Sequence, residues 1–418
     1  MVRVQERISA VTNKSINAFS VLVTAAIVIY IRQPLFFASP RIWAEEGSIY
    51  LFHGLVDNPT SSFLTPHFGY YSLFNKIAIY VASQIFPLEY AAFVTTAFSA
   101  ALQLCTCLVI YASAGRLGRS KLHRYILSLI PLLVSYPETW LNTINAQFWL
   151  ATGTYFILNS TRINKAQIIY SLIAFLTGGV SLFFLPYFVL RAAKEKTAEL
   201  WCVVVIGTAA AHIQFFSLLS FLEDGNGSRL RIDFLANLAK GMLYTFILPL
   251  QQKGAGLFFV LFIIVAIYKY AKLLKSSNDN LGWVYSILSL LTYTFISVLA
   301  SLSMSGGSRY GLPVHCGMLA IAFCGISLEK FTLSELLYNM AFALLIGFVV
   351  ITFFNMESVY SLTWPSWQKQ VRARSCDEIT KVWIFPQWEG AKWGMILPKG
   401  SGVECEQLVE SSLPLIVR

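Results

Sequence analysis

Charge is what this 418-residue sequence has least of: Asp, Glu, Lys and Arg together make up 12% of it. A soluble domain carries about twice that share. With 56% hydrophobic and 15% aromatic residues and a mean hydropathy of +0.62, so few charges cannot cover a water-facing surface. The composition therefore reads as that of a membrane protein, and it excludes a disordered chain, a collagen-like fibre and a disulfide-dense secreted module. The five histidines form neither an HExxH motif nor a pair four residues apart, which argues against zinc chemistry. A Walker A loop, a GxGxxG turn and a GxSxG elbow are also missing, so a nucleotide-binding Rossmann domain and a serine hydrolase have no support. Of the seven cysteines, Cys105, Cys107, Cys202, Cys316 and Cys324 fall in or beside apolar runs, where cysteine is a small hydrophobe. Cys376 and Cys405 lie in the final polar segment, where an oxidising compartment would permit a disulfide.

What is present is a basic excess, +10 at pH 7. The lysines and arginines do not gather into one patch of the kind that binds nucleic acid. They recur in short clusters between apolar runs, which is the positive-inside pattern of cytoplasmic loops. Arg3, Arg7 and Lys14 precede an uncleaved first span, about Asn17 to Phe37, with the N-terminus inside. The next cluster runs from Arg116 to Arg124. Two apolar segments separate the clusters, Tyr70 to Phe86 and Leu88 to Ala112, and only one can span if both clusters are cytoplasmic. The shorter, carrying Asn75, Lys76, Ser83 and Gln84, is expected to lie along the outer face. Residues 39–87 then form a long external loop. Further spans alternate, with Ala166 to Leu190 either one crossing or a hairpin of two half-spans around Gly178-Gly179; the hairpin, with Phe234 to Leu250 as a second outer-face or re-entrant helix, keeps the cluster at Lys269, Lys272 and Lys275 inside. The expectation is an all-α polytopic protein of about eleven crossings over residues 1–354. Residues 355–418, polar and rich in tryptophan, are expected to form a small external segment or cap.

This topology collects the unusual polar residues on one face, as work on a substrate presented at that interface would require. A transporter would more often bury ionisable groups at the bilayer midplane and show repeated halves. The sharpest element is Trp43-Ala44-Glu45-Glu46-Gly47. Two adjacent carboxylates cannot share one helix face, so one can point to a pocket as general base or cation ligand; acids in a first helical turn also suit the macrodipole. A second is Ser303 to His315, where Arg309 could hold a lipid-linked phosphate bidentately; Arg309 snorkelling to headgroups, with Tyr310 in the aromatic belt, explains it equally. A third is Glu138 to Trp149, where Asn145 and Gln147 suit sugar hydroxyls and equally suit interhelical hydrogen bonds. Arg229 and Arg231, in a middle loop, could attract an anion or simply be solvated.

The N-in first span, the acidic first loop with its outer-face helix, the Gly69-Tyr70 start of that helix, Asn145-x-Gln147-x-Trp149, Thr177-Gly178-Gly179 with Pro186, and Arg309-Tyr310-x-x-Pro313 together resemble the GT-C superfamily of integral membrane glycosyltransferases. The nearest likeness is to bacterial members of polysaccharide and O-antigen clusters. The resemblance implies a transferase in the bacterial inner membrane, with a cytoplasmic N-terminus and a periplasmic C-terminus. It would move a sugar from a polyprenyl-phosphate donor to a glycan or lipid-linked acceptor on the periplasmic side. It also implies a first-loop carboxylate, Glu45 or Glu46, as base or as ligand of a divalent cation such as Mg or Mn, and Arg309 on the lipid phosphate. Many members have Asp in that loop where this chain has the Glu45-Glu46 pair, so the acting residue stays open between the two. The alternatives are a lipid-linked oligosaccharide flippase or polymerase, which would want charges inside the spans or a large late loop between spans, and a membrane acyltransferase centred on His53, His67 or His315.

Overall fold

The computed structural model describes residues 17–118, 120–223, 255–276, 282, 284–300, 308–326, 332–354, 366–372, 381–384 and 394–396. Nearly all of these are helical. The main helices are α1 (Ala18–Arg32), α2 (Leu73–Gln84), α3 (Ala91–Ser113), α4 (Lys121–Val134), α5 (Ala146–Leu158), α6 (Lys165–Leu176), α7 (Leu185–Glu195), α8 (Ala198–Glu223), α9 (Ala255–Ser276), α10 (Ser289–Ala300), α11 (Gly311–Cys324), α12 (Leu333–Phe354) and the short α13 (Trp367–Arg372). One antiparallel pair of short strands, β1 (Lys381–Trp383) and β2 (Gly394–Ile396), follows.

Hydrogen bonds between helix ends fix how these rods run. At the end bearing the first loop, here the upper end, Arg32 at the close of α1 donates to Leu132 O near the close of α4 at 2.6 Å. There too, Gly178 N beyond α6 donates to Tyr71 O at 2.9 Å, and Gln214 of α8 reaches the same carbonyl at 2.9 Å. At the lower end, Gln167 of α6 donates to Ser113 Oγ of α3 at 2.7 Å, and Cys324 Sγ of α11 lies 2.6 Å from Leu117 O. Tyr338 of α12 donates to Ala322 O at 2.6 Å, and Tyr270 of α9 pairs with Ser286 just before α10 at 2.9 Å. Apart from α2, which lies across the upper end, the helices from α1 to α12 therefore alternate in direction.

The Ala166 to Leu190 run is a hairpin, as its flanking charges suggested: α6 climbs, the chain turns at Gly178-Gly179 and a 3-10 turn at Val180–Phe184, and α7 descends. The basic residues Lys121, His123 and Arg124 fall inside α4 instead of before it, because Ser120 caps the helix a turn earlier than the apolar run begins, its side chain accepting from His123 N at 3.2 Å. The segment Phe234 to Leu250 lies outside the described residues.

The distribution of polarity is inverted relative to a water-soluble bundle. Thr96, Ser99, Gln103, Thr106 and Ser113 line one face of α3 and are all buried, whereas Phe19, Ile27 and Ile31 of α1, Val205, Phe215 and Phe216 of α8, and Leu336, Leu337 and Leu344 of α12 are exposed. By length and composition, Leu88–Ser113 and Ala198–Glu223 could each cross a membrane, and α1, α6, α11 and much of α10 and α12 are shorter apolar helices.

Two contacts close the ends. Below, the buried Arg191 guanidinium forms a paired contact with Glu195, Nε to Oε1 and Nη2 to Oε2 both at 2.9 Å, and donates to Leu158 O at 2.9 Å, while Arg116 reaches the same carboxylate at 2.5 Å. Above, Trp367 of α13 donates to Leu88 O at 2.7 Å, Arg372 pairs with Glu89 at 2.8 Å, and Ile384 packs against Gly47 in the first loop. Among the described residues after α12, Trp367, Arg372 and Ile384 thus pack against Leu88, Glu89 and Gly47. Arg191→Met leaves Glu195 paired with Arg116 but removes the buried donors to Glu195 and Leu158 O, and is expected to cost about 1–3 kcal/mol, read as a lowered unfolding midpoint of the purified protein in detergent.

Candidate functional site

The first loop enters the upper end as an irregular turn. Ala44 sits at φ +34°, Glu45 is right-handed, and Glu46–Leu51 forms a single π-helical turn. Widened turns of this kind interrupt the regular ladder and are frequent where function needs a side chain re-aimed. The Glu46 carboxylate closes it: Oε2 accepts from Trp43 N at 3.1 Å, three residues back, which holds Ala44 in its uncommon conformation. Oε1 accepts from Thr143 N at 2.8 Å and from the Thr143 hydroxyl. Glu46 is almost wholly buried.

Asn75 of α2 also meets the Thr143 hydroxyl through the atom assigned as Oδ1. One hydroxyl proton cannot serve two acceptors. Turning the Asn75 amide, so that Nδ2 donates to Thr143 Oγ1 and Thr143 donates to Glu46, removes the conflict at the hydroxyl and gives a partner to Nδ2, which otherwise has none among the described residues. Burial pushes the Glu46 carboxyl above its ordinary range, while the donors from Thr143 and Trp43 pull the other way.

Its neighbour is placed differently. Glu45 is half-buried and has no hydrogen-bond or ion-pair partner among the described residues, and the same holds for the half-buried Arg309. Both act on one phenol. Tyr70 is pushed up to about 12, first by burial and then by the Glu45 charge, with Arg309 opposing. The charges of Glu45 and Arg309 thus both bear on the Tyr70 phenol, with opposite sign. The Arg309 guanidinium lies 6.0 Å from the Tyr310 ring centroid, and Tyr310 meets Phe148 edge-on at 4.9 Å.

Of the other expected contacts, Gln147 lies half-buried with its side-chain oxygen against Gly178. Asn145 is buried and its amide is committed to the turn before α5, donating to Glu138 O at 2.6 Å and Asn142 Oδ1 at 3.0 Å. Arg229, Arg231, Cys376 and Cys405 lie outside the described residues. The histidines do not build one centre. His53 pairs with Asp57 at 2.8 Å and stacks on His67 at 4.9 Å, but burial, with Lys76 and His53 adding to it, lowers His67 to about 3 and keeps it neutral. His315 sits apart, 3.3 Å from the Tyr136 hydroxyl.

Both Glu46 oxygens accept hydrogen bonds, and among the described residues no three His, Cys, Asp or Glu side chains gather. Thr143, Asn75 and Tyr70 are functional neighbours that residue type alone did not single out. The available signal was Asn75-Lys76 interrupting an otherwise apolar α2, where burial forces a partner.

No protein-family model, curated protein or solved structure matches the chain.

Because the folded state holds the Glu46 proton more tightly than the unfolded chain, its contribution to stability is fully present below about pH 4.5 and is lost as pH rises through the raised folded value. The unfolding midpoint of the parent should therefore fall, relative to Glu46→Gln, as pH rises above about 4.5. Parallel thermal scans across that range check it.

Proposed function

We propose that the chain is a membrane-embedded glycosyltransferase of GT-C type, acting on a polyprenyl-phosphate sugar at the external face of the bacterial inner membrane. The observation that carries the reading is that an acid and an arginine without hydrogen-bond or ion-pair partners among the described residues, Glu45 and Arg309, both bear on Tyr70 with opposite charge. The exposed apolar faces of α1, α8 and α12, with polar groups turned inward on α3, support a lipid surround. The alternating helices support about eleven crossings, the shorter ones spanning together with their flanking turns.

The chemistry follows from the charges. An acceptor hydroxyl is a poor nucleophile until a base takes its proton as the new bond forms, and Glu45 is the carboxylate free to do so. The acceptor oxygen bonds to the anomeric carbon as the bond from that carbon to the phosphate oxygen breaks. The proton passes to Glu45, and the departing polyprenyl phosphate carries away the bonding pair, gaining a negative charge that Arg309 stabilises. A single base and a single displacement invert the anomeric centre. Glu46 has no part in the transfer; it fixes the turn that presents Glu45. Cytoplasmic charge clusters orient the bundle with the cleft outward.

Glu45→Gln should leave expression and the unfolding midpoint unchanged while lowering the rate of glycan formation about 100-fold or more, and Arg309→Ala should act in the same direction with Arg309→Lys intermediate. The measurement is the cell-surface glycan of a strain lacking its own copy, resolved on a gel. Unchanged product with Glu45→Gln would sink the reading.

A further inference from the structure

Asn75 and Lys76 interrupt an otherwise apolar α2, and the tie through Thr143 uses only the first of them. Lys76 is buried, which for an ammonium is costly unless partners surround it. Among the described residues no carboxylate lies within ion-pair distance of it; the acid that acts on it, Asp57, is paired with His53 at 2.8 Å. An ammonium has three N–H donors. One goes to Ser62 O, and the Tyr50 ring, its centroid 5.3 Å from Nζ, meets the charge on another side. The remaining donor capacity has no acceptor among the described residues. Burial lowers Lys76 to about 8, with Asp57 opposing, so the group is still charged at neutral pH.

The lysine and its Ser62 partner both line a hollow between α2 and two short helices of the first loop, Phe52–Val56 and Pro59–Leu64. Gly54, Phe63, Tyr80 and Gln84 form much of the remaining wall, with Phe63 and Tyr80 edge-on at 6.2 Å and Gln84 Nε2 donating to Gly54 O at 2.7 Å. The hollow is partly open to the outside, and its enclosed part has room for about one water-sized group. That is the size of a single anionic oxygen. Whatever carries such an oxygen must lie at the rim, and the rim is apolar: Tyr80 is exposed, as are Leu64 and Ile85, the chain neighbours of Phe63 and Gln84. A cation inside with exposed apolar side chains around the opening suits a lipid phosphate, in which charge and acyl chains are joined. A free anion would have no use for such a rim.

We propose that this hollow holds one phosphate oxygen of a membrane phospholipid on the Lys76 ammonium, with the acyl side of that lipid against Tyr80, Leu64 and Ile85. The proposal rests on the lipid surround argued above and not on sugar transfer.

For the test, purified full-length protein stripped of lipid in detergent is titrated with phosphatidylglycerol, with the matching diacylglycerol and with inorganic phosphate. Bound molecules are counted by native mass spectrometry for the parent, Lys76→Gln, Lys76→Arg and Tyr80→Ser. The parent is expected to hold one phosphatidylglycerol tightly, with binding weakened about 10-fold or more in Lys76→Gln, largely kept in Lys76→Arg and weakened less in Tyr80→Ser. Diacylglycerol bound as tightly as phosphatidylglycerol overturns the proposal, because no phosphate is then read. Inorganic phosphate bound as tightly overturns the lipid and assigns the hollow to a free anion. No phosphatidylglycerol retained by the parent, the hollow then holding water alone, overturns it too. So does equal binding by the parent and a Lys76→Gln that unfolds with it. Where Lys76→Gln unfolds earlier than the parent, Tyr80→Ser, altered only at an exposed ring, decides, and unchanged binding there overturns the site. None of these readouts uses the glycan, so failure of the lipid site and failure of the transferase reading are told apart.

Discussion

The upper end of this bundle depends on one buried carboxylate. Glu46 takes a donor from its own loop, at Trp43, and two from Thr143 in the turn before α5, and Thr143 in turn meets Asn75 on α2. Three segments far apart in sequence are tied through a single side chain. A buried acid that accepts three hydrogen bonds is tied to the fold far more firmly than the same acid in water, and removing one of those donors would weaken the tie. The π-helical turn, the left-handed Ala44 and the packing of Ile384 on Gly47 all follow from that tie.

Two adjacent glutamates therefore have opposite duties. Glu46 turns inward and is consumed by structure; Glu45, one residue earlier and half-exposed, is left with its charge facing Tyr70 and Arg309. The same division recurs in the turn before α5. Asn145 is bound into the backbone of its turn, whereas Gln147, two residues on, rests its amide against a glycine and bonds to nothing among the described residues. In both pairs one member is held by hydrogen bonds and its neighbour makes none with its side chain among the described residues.

Much of this architecture was legible in the sequence because bilayer length and charge placement are strong constraints. The short helix α2, the reversal at Gly178-Gly179 and the helical character of the remaining apolar runs were legible from run length, bounding residues and the positions of lysine and arginine. Helix starts were less legible. Polar caps such as Ser120, and the Asn164–Gln167 box that opens α6, extend helices into stretches that hydropathy assigns to loops. Within the site, residue type named Glu45, Glu46, Arg309 and Gln147, but could not divide the two acids. That division is set by a threonine and an asparagine from other segments, and no spacing rule connects Glu46 to Thr143.

The account turns on the end bearing Glu45, Tyr70 and Arg309 facing away from the cytoplasm. The direct measurement is thiol labelling in intact cells with a membrane-impermeant reagent, in a chain whose Cys376 and Cys405 are replaced by serine, comparing Gly179→Cys at the upper end with Arg162→Cys in the exposed turn at the lower end. The account predicts labelling at 179 in intact cells and at 162 only once the membrane is opened. Labelling at 162 in intact cells, with 179 protected until the membrane is opened, would contradict it.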